Sequence, residues 1–149
     1  MLDVAYEAVE DLTPGRLAAI DEDRGTIRVR LDKTRPLADV VRQLNIEIDR
    51  LMSSSHWFQL WGTEIVSRDT PDQPLRIEYI FRPWVPRDIG ACVAEDRGTV
   101  RVYICPDLNP EQFAAAMNPA TEDFLAGGHW FQLYAGEIID NSPEPMSRI

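Results

Sequence analysis

The sequence predicts an α+β fold made of two copies of one structural unit, and three observations lead to that prediction. The segment EDRGTIRVRL at Glu22–Leu31 recurs as EDRGTVRVYI at Glu95–Ile104, and the pentapeptide HWFQL occurs twice. Residues 22–67 align with residues 95–140 without a gap, at an offset of 73 positions, and 15 of the 46 pairs are identical. The two copies keep the same order of motifs, so we interpret the chain as a tandem duplication.

Each copy begins with a predicted β-hairpin. Acidic residues followed by Arg-Gly lie between two apolar segments, which suits a four-residue loop built on a type I turn, with Gly25 and Gly98 in the left-handed conformation. The next strand of copy one alternates apolar with basic residues, which predicts a buried and a solvent-facing side: Ile27, Val29 and Leu31 against Arg28 and Arg30.

A helix follows each hairpin. In copy one, apolar residues recur at three- and four-residue spacings over residues 37–52. In copy two, Asn109 is a suitable N-cap, with Pro110 at the first helical position. Pro119 predicts a break in the helix. Asn118 would then be the N-cap of a second short helix that ends at a Gly-Gly pair.

The HWFQL strand follows the helix in both copies. Copy one then adds a strand within LRIEYIFRPW, for which copy two has no counterpart; the N-terminal residues are the candidate for the strand that copy two lacks. Repeat one therefore spans about 17–85 and repeat two about 90–140, and residues 141–149 form a loose tail.

One domain over residues 1–149 is predicted, because neither repeat has enough apolar residues for a separate core. The expected architecture is a mainly antiparallel sheet made of ββαβ-type units, with the helices packed on one face and a pseudo-twofold axis between the repeats.

Composition narrows the class of function. The chain carries 25 acidic and 15 basic side chains, a net charge of −10. This balance argues against a nucleic-acid partner. An acidic second half is able to attract a basic protein partner, but a solvated surface kept soluble by its charge is the main interpretation. No apolar run is long enough to cross a membrane, and the N-terminus lacks the basic and apolar regions of a signal peptide. We therefore expect a cytoplasmic protein without membrane contact.

The cysteines and the known motifs indicate no cofactor. The predicted hairpin places Cys92 opposite Arg101 and leaves Cys105 beyond the ladder, so a disulfide is not expected. The chain contains no CxxC pair, no P-loop, no GxGxxG and no HExxH. No metal, cofactor or catalytic residue is predicted on these grounds.

The two histidines occupy equivalent positions in the repeats. If the two HWFQL strands pair antiparallel with Leu60 opposite Leu133, each histidine faces a glutamate of the other repeat, which predicts two pairs: His56 with Glu137 and His129 with Glu64. The pairs would lie at opposite ends of the ladder, too far apart to bind one ion. We interpret them as structural contacts, and acid–base chemistry is the alternative.

Aromatic residues follow one side of the same strands: Trp57, Trp61, Trp130 and Tyr134. Because the other side is apolar as well, these strands are typical of the centre of a sheet. Core packing is the main interpretation, and an exposed stripe would instead be a protein-binding patch.

These patterns favour a non-enzymatic protein-interaction module, such as a small cytosolic adaptor, inhibitor, immunity-type or chaperone-like protein. A second copy of the chain is an alternative partner. A small enzyme or ligand-binding protein that uses the His–Glu pairs in a cleft between the repeats is the second hypothesis, and an acidic mimic of nucleic acid is the third. The candidate binding residues are Trp57, Trp61, Trp130, Tyr134, His56, His129, Glu64 and Glu137.

Overall fold

The computed structural model of the chain describes residues 3–23, 25–54, 56–61, 64–67, 76–96, 99–127, 129–134 and 137–140. Between residues 56 and 67 and between 129 and 140, and at residue 96, it describes the backbone alone. Within these ranges the chain forms two α-helices and ten β-strands, so the predicted α+β class is confirmed.

The elements follow one another in two groups of six. The first group is β1 (Asp3–Val9), β2 (Ala18–Asp23), β3 (Thr26–Asp32), α1 (Leu37–Ser54), β4 (His56–Trp61) and β5 (Glu64–Ser67). The second group is β6 (Arg76–Phe81), β7 (Ala91–Asp96), β8 (Thr99–Ile104), α2 (Pro110–Gly127), β9 (His129–Tyr134) and β10 (Glu137–Asp140). Each element of the second group begins 73 residues after its counterpart in the first.

The described strands form three sheets, where the sequence predicted one. Two have three strands, in the orders β1-β3-β2 and β6-β8-β7, and the third has the order β10-β9-β4-β5. Antiparallel pairs predominate, but β1 is parallel to β3 and β6 is parallel to β8. The parallel pairing of these two strands was not predicted, because each strand precedes its hairpin and pairs with the hairpin's second strand, which local periodicity does not report.

Strand β6 was expected at the end of repeat one, and β1 was expected to complete repeat two. Instead β6 pairs with β8, and β1 pairs with β3. Each of these strands therefore completes the sheet of the hairpin that follows it in the chain.

The hairpins close more tightly than predicted. Asp23 lies opposite Thr26, which leaves a two-residue connection instead of four. Gly25 has the expected left-handed conformation with φ 95°, and its N–H donates to the Glu22 carboxylate at 3.1 Å. Gly98 lies outside the described residues. In the second hairpin the shorter loop shifts the register, so that Cys92 lies opposite Tyr103 and not Arg101.

Helix α1 buries the stripe that its sequence predicts: Leu37, Val40, Val41, Leu44, Ile48 and Met52. Its exposed arginines form local ion pairs, from Arg42 to Asp39 at 3.2 Å and from Arg50 to Glu47 at 3.0 Å. Such exposed pairs contribute little to stability.

Helix α2 is continuous from Pro110 to Gly127, so the predicted break at Pro119 is wrong. Proline removes one backbone hydrogen bond from a helix and leaves the carbonyl of the residue four positions earlier without its partner. Both Pro119 and Ala115 are exposed, so water can solvate that carbonyl. The predicted N-cap is confirmed, because Asn109 Oδ1 accepts the Gln112 N–H at 2.8 Å and Gln112 Oε1 accepts the Asn109 N–H at 2.9 Å.

The two groups share one core. Helix α1 packs against β2 of its own group and β6 of the other, and α2 packs against β7 and β1 in the same crossed manner. Among the described residues, the buried apolar side chains form a cluster to which both groups contribute, including Leu31 and Leu44 from the first and Ile104 and Phe113 from the second. Neither described helix is long and apolar enough to cross a lipid bilayer.

Candidate functional site

The two HWFQL strands are adjacent and antiparallel, as predicted, but in another register. Phe58 lies opposite Phe131, so that His56 is opposite Leu133 and His129 is opposite Leu60. The predicted pairing of Leu60 with Leu133 is therefore wrong by four residues.

The altered register removes the predicted His–carboxylate pairs. The chain reverses after Trp61, so Glu64 belongs to β5, and by the same reversal Glu137 belongs to β10. Strand β9 lies between the strands of His56 and Glu137, and β4 lies between those of His129 and Glu64. Two strand spacings are about 9.6 Å. The structure describes only the backbone of all eight predicted binding residues, so a binding role for their side chains stays a prediction.

A pair of tyrosines joins the two three-stranded sheets. The hydroxyls of Tyr6 in β1 and Tyr79 in β6 are 2.6 Å apart and hydrogen-bonded, and either oxygen can be the donor. The two residues are 73 positions apart and are 7% and 5% exposed. Both rings pack edge-on against Phe113 of α2, with centroid distances of 6.0 and 6.3 Å.

Two asparagines bind the backbone of these tyrosines crosswise. The Tyr6 N–H donates to Asn118 Oδ1 at 2.7 Å, and Asn118 Nδ2 donates to the Tyr6 carbonyl at 3.0 Å. Asn45 does the same for Tyr79, at 2.8 and 3.1 Å. Since β1 and β6 are edge strands, each amide pairs with backbone groups that a further strand would otherwise take. Each helix thus holds the edge strand of the other group.

Burial keeps both phenols protonated. It raises the pKa of Tyr6 from 10.0 to about 12, against smaller lowering effects of the Tyr79 and Thr121 hydroxyls. Burial also raises the pKa of Tyr79 well above 10.0, and the adjacent Tyr6 raises it further. Neutral tyrosines in this position serve as hydrogen-bonding groups and carry no charge at physiological pH.

These shifts predict a loss of stability at alkaline pH. Below pH 10 both phenols are protonated in the folded and unfolded chain, so they add no pH dependence; above it the unfolded chain releases protons that the folded chain keeps, and stability falls. For Tyr6 alone the loss by pH 12 is about 2–3 kcal/mol. Urea denaturation at a series of pH values should show this decline, and the double variant Tyr6→Phe/Tyr79→Phe should show a shallower one. Full tyrosinate absorbance from all four tyrosines, before circular dichroism changes, would contradict the prediction.

A cluster of one exposed and three half-buried side chains lies on the outer face of the second three-stranded sheet. Val102 and Ile104 face the core, so Tyr103 faces outward, between Ile80 of β6 and Cys92 of β7. Trp84, from the loop after β6, packs on Tyr103 with a centroid distance of 5.1 Å and an interplanar angle of 55°. We call Ile80, Trp84, Cys92 and Tyr103 the aromatic face.

The aromatic face has no counterpart on the first sheet. At the positions 73 residues earlier the chain has Glu7, Asp11, Ala19 and Arg30. There Glu7 and Ala19 flank Arg30 in the ladder, and Arg30 binds Asp21 at 2.7 Å. Of the large apolar side chains that the structure describes, Trp84 is the most exposed, at 59%.

Arginines border the aromatic face. Arg82 and Arg87 flank Trp84 in its loop and are exposed. Arg101 precedes Tyr103 by two residues on the same side of β8 and binds Glu78 at 3.2 Å. Glu78 also pairs with Arg76 at 3.4 Å. The loop of Trp84 holds the exposed Asp88 as well, so these groups comprise four arginines and two carboxylates.

No metal centre is found where side chains are described: no three His, Cys, Asp or Glu residues converge there. Cys92 and Cys105 are both free. Comparison with known proteins finds no family model that matches the chain, no similar curated protein and no similar solved structure.

The sequence held a signal for the residues that the initial prediction missed. Tyr6 and Tyr79, like Asn45 and Asn118, are identical pairs at the offset of 73. The aromatic face is marked by the opposite signal, because the first group has charged residues at the positions that correspond to Ile80, Trp84 and Tyr103.

Proposed function

We propose that the protein is a non-enzymatic protein-interaction module, of the adaptor, inhibitor, immunity or chaperone type, and that the aromatic face binds its partner. The observation that supports this is the Trp84–Tyr103 stack at positions where the first group has Asp11 and Arg30. A scaffold that needs only to fold keeps such positions polar, as the first sheet does. Tryptophan, tyrosine and arginine contribute most of the binding energy at protein interfaces.

The bordering charges favour an acidic partner segment with an apolar anchor. The net charge of −10 favours a basic partner, but salt screens charges beyond about 8 Å, so those next to the contact count most. Arg82, Arg87 and Arg101 are placed to pair with carboxylates on either side of an anchor that packs against Trp84. The acidic mimic of nucleic acid stays a prediction that no described feature favours.

We also infer that the two groups arose by tandem duplication and are related by an approximate twofold axis. The common offset of all element starts supports this. So do the pairs that join equivalent residues, Tyr6 with Tyr79 and Phe58 with Phe131, and the reciprocal asparagine contacts. The free cysteines fit a cytoplasmic protein.

The partner chemistry can be tested with a display library of random twelve-residue peptides, selected on the full-length protein and counter-selected on the Trp84→Asp variant. We expect the enriched peptides to combine an aromatic or aliphatic anchor with flanking Asp or Glu residues. Calorimetric titration of one synthetic peptide should show at least about 10-fold weaker binding to Trp84→Ala, and weaker binding as salt rises.

Ile46→Ala is the matched control, because Ile46 is a comparably exposed apolar residue, 49% exposed, on α1. It should leave peptide binding unchanged. The proposal is overturned if the enriched peptides lack acidic residues. It is also overturned if peptide binding is kept in Trp84→Ala but lost in Ile46→Ala. Self-association that disappears in Trp84→Ala, measured by analytical ultracentrifugation, would instead identify a second copy of the chain as the occupant.

A further inference from the structure

A cavity of about 90 Å³ lies between the two groups. Its wall is built from equivalent positions on both sheets, among them Val4 with Ile77 and Val29 with Val102, and from the C-terminal halves of both helices. The described lining is apolar except for Tyr6, Tyr79 and Thr121. We call this space the central cavity.

The polar groups of the central cavity have unused hydrogen-bonding capacity. The two tyrosine hydroxyls hold two hydrogens, and their mutual bond uses one, so one O–H remains to donate. Thr121 Oγ1 is buried, and its contact with the Tyr6 hydroxyl lowers the pKa of that phenol but falls short of hydrogen-bond geometry, so this oxygen has no well-formed hydrogen bond among the described residues. Buried polar groups normally have a partner, so an unpaired hydroxyl in a cavity wall points to a ligand that supplies one.

The position of Thr121 in the repeat strengthens this reading. Its counterpart 73 residues earlier is Ile48, which also lines the central cavity. An aliphatic side chain therefore suffices for folding on one side of the cavity, while a hydroxyl occupies the other.

We propose that the central cavity binds a small neutral organic molecule, with an apolar body of about three or four carbon atoms and one hydroxyl or carbonyl that bonds Thr121. The size follows from the volume, since an engineered cavity of about 150 Å³ binds benzene. Neutrality follows from the lining, because no described residue there carries a charge that would offset the cost of burying an ion. This site is independent of the aromatic face.

The test uses 1-butanol as the probe, with butyrate and butylammonium as charged molecules of the same chain length. In methyl NMR spectra of the full-length protein, 1-butanol should shift the signals of lining residues such as Met52, Val102 and Met117. The shifts should saturate with a dissociation constant on the order of 1 mM. Neither charged analogue should produce them.

Two variants at one position separate the hydroxyl from the shape of the cavity. Thr121→Val keeps the shape and should weaken 1-butanol binding about fivefold, whereas Thr121→Ser keeps the hydroxyl and should bind as the parent does. Trp84→Ala should leave this binding unchanged, so the two proposals fail separately. Absence of saturable shifts, equal binding of butyrate, or full affinity in Thr121→Val would overturn the inference.

Discussion

Replacing Phe113 with alanine is expected to lower the free energy of unfolding by about 3–5 kcal/mol, as for other buried aromatic residues. Phe113 is 0% exposed and packs against both Tyr6 and Tyr79, so its loss leaves a void where the two sheets and α2 meet. Domains of this size have about 5–15 kcal/mol of stability in total, so the loss is a large fraction. Thermal unfolding should shift down by about 6–20 °C.

The equivalent position in the first group provides the control. Val40 is also 0% exposed, but Val40→Ala removes only two methyl groups, which should cost about 2 kcal/mol. Phe113→Leu keeps most of the volume and should cost less than Phe113→Ala. Urea denaturation of the three variants gives the comparison. Equal losses in Phe113→Ala and Val40→Ala would show that Phe113 has no special place in the core.

Removal of one asparagine amide should have the second largest effect. Asn45→Ala or Asn118→Ala deletes two hydrogen bonds and leaves the N–H and carbonyl of a tyrosine without partners at a strand edge. At about 1 kcal/mol or more for each group, the expected loss is about 2–3 kcal/mol for Asn45→Ala. It is smaller for Asn118→Ala, because Asn118 is exposed and water can reach the freed groups. Arg42→Ala, on the exposed side of α1, should change stability by less than about 0.5 kcal/mol.

A carboxylate at position 118 tests the geometry of the contact. In Asn118→Asp the ionised side chain still accepts the Tyr6 N–H, but it cannot donate to the Tyr6 carbonyl, which it repels. Protonation restores a donor, so the pKa of this carboxyl should be raised in the folded chain and the variant should regain stability as pH falls. Denaturation at pH 4 and pH 7, against the parent, measures this. A variant that loses further stability at pH 4, relative to the parent, would refute the two-bond contact.

Local sequence patterns predicted the individual elements well. The amphipathic stripe of α1, the N-cap of α2 and the alternating strand β3 each depend on residues close together in the chain, and each is confirmed. The parallel pairing of β1 with β3 and of β6 with β8 depends on contacts between residues about 20 positions apart in the chain. The crossed packing of the helices depends on contacts that are still further apart in the sequence. No periodicity within a segment reports such contacts.

At the HWFQL strands, too, the sequence predicted some features and missed those that depend on the fold. The adjacency of the HWFQL strands could be predicted from the two HWFQL segments. Their register could not, because it depends on where the chain turns after Trp61. The prediction treated residues 56–64 as one straight strand and therefore assigned the wrong partner to each histidine. The predicted helix break at Pro119 was wrong for a related reason. The sequence indicates the cost of proline in a helix, and only the fold shows that Ala115 and Pro119 are exposed, so that water can reach the affected carbonyl.

The crossed contact between Tyr6 and Asn118 has a consequence for synthesis on the ribosome. Strand β1 is made before α2, and the amide that covers its edge follows 112 residues after Tyr6. At about 5–20 residues per second, this takes about 6–22 s. Throughout that interval the nascent chain carries an open strand edge, which can pair with another chain. Interrupted translation should therefore be more hazardous for this protein than for one whose first strand is covered by its nearest neighbours.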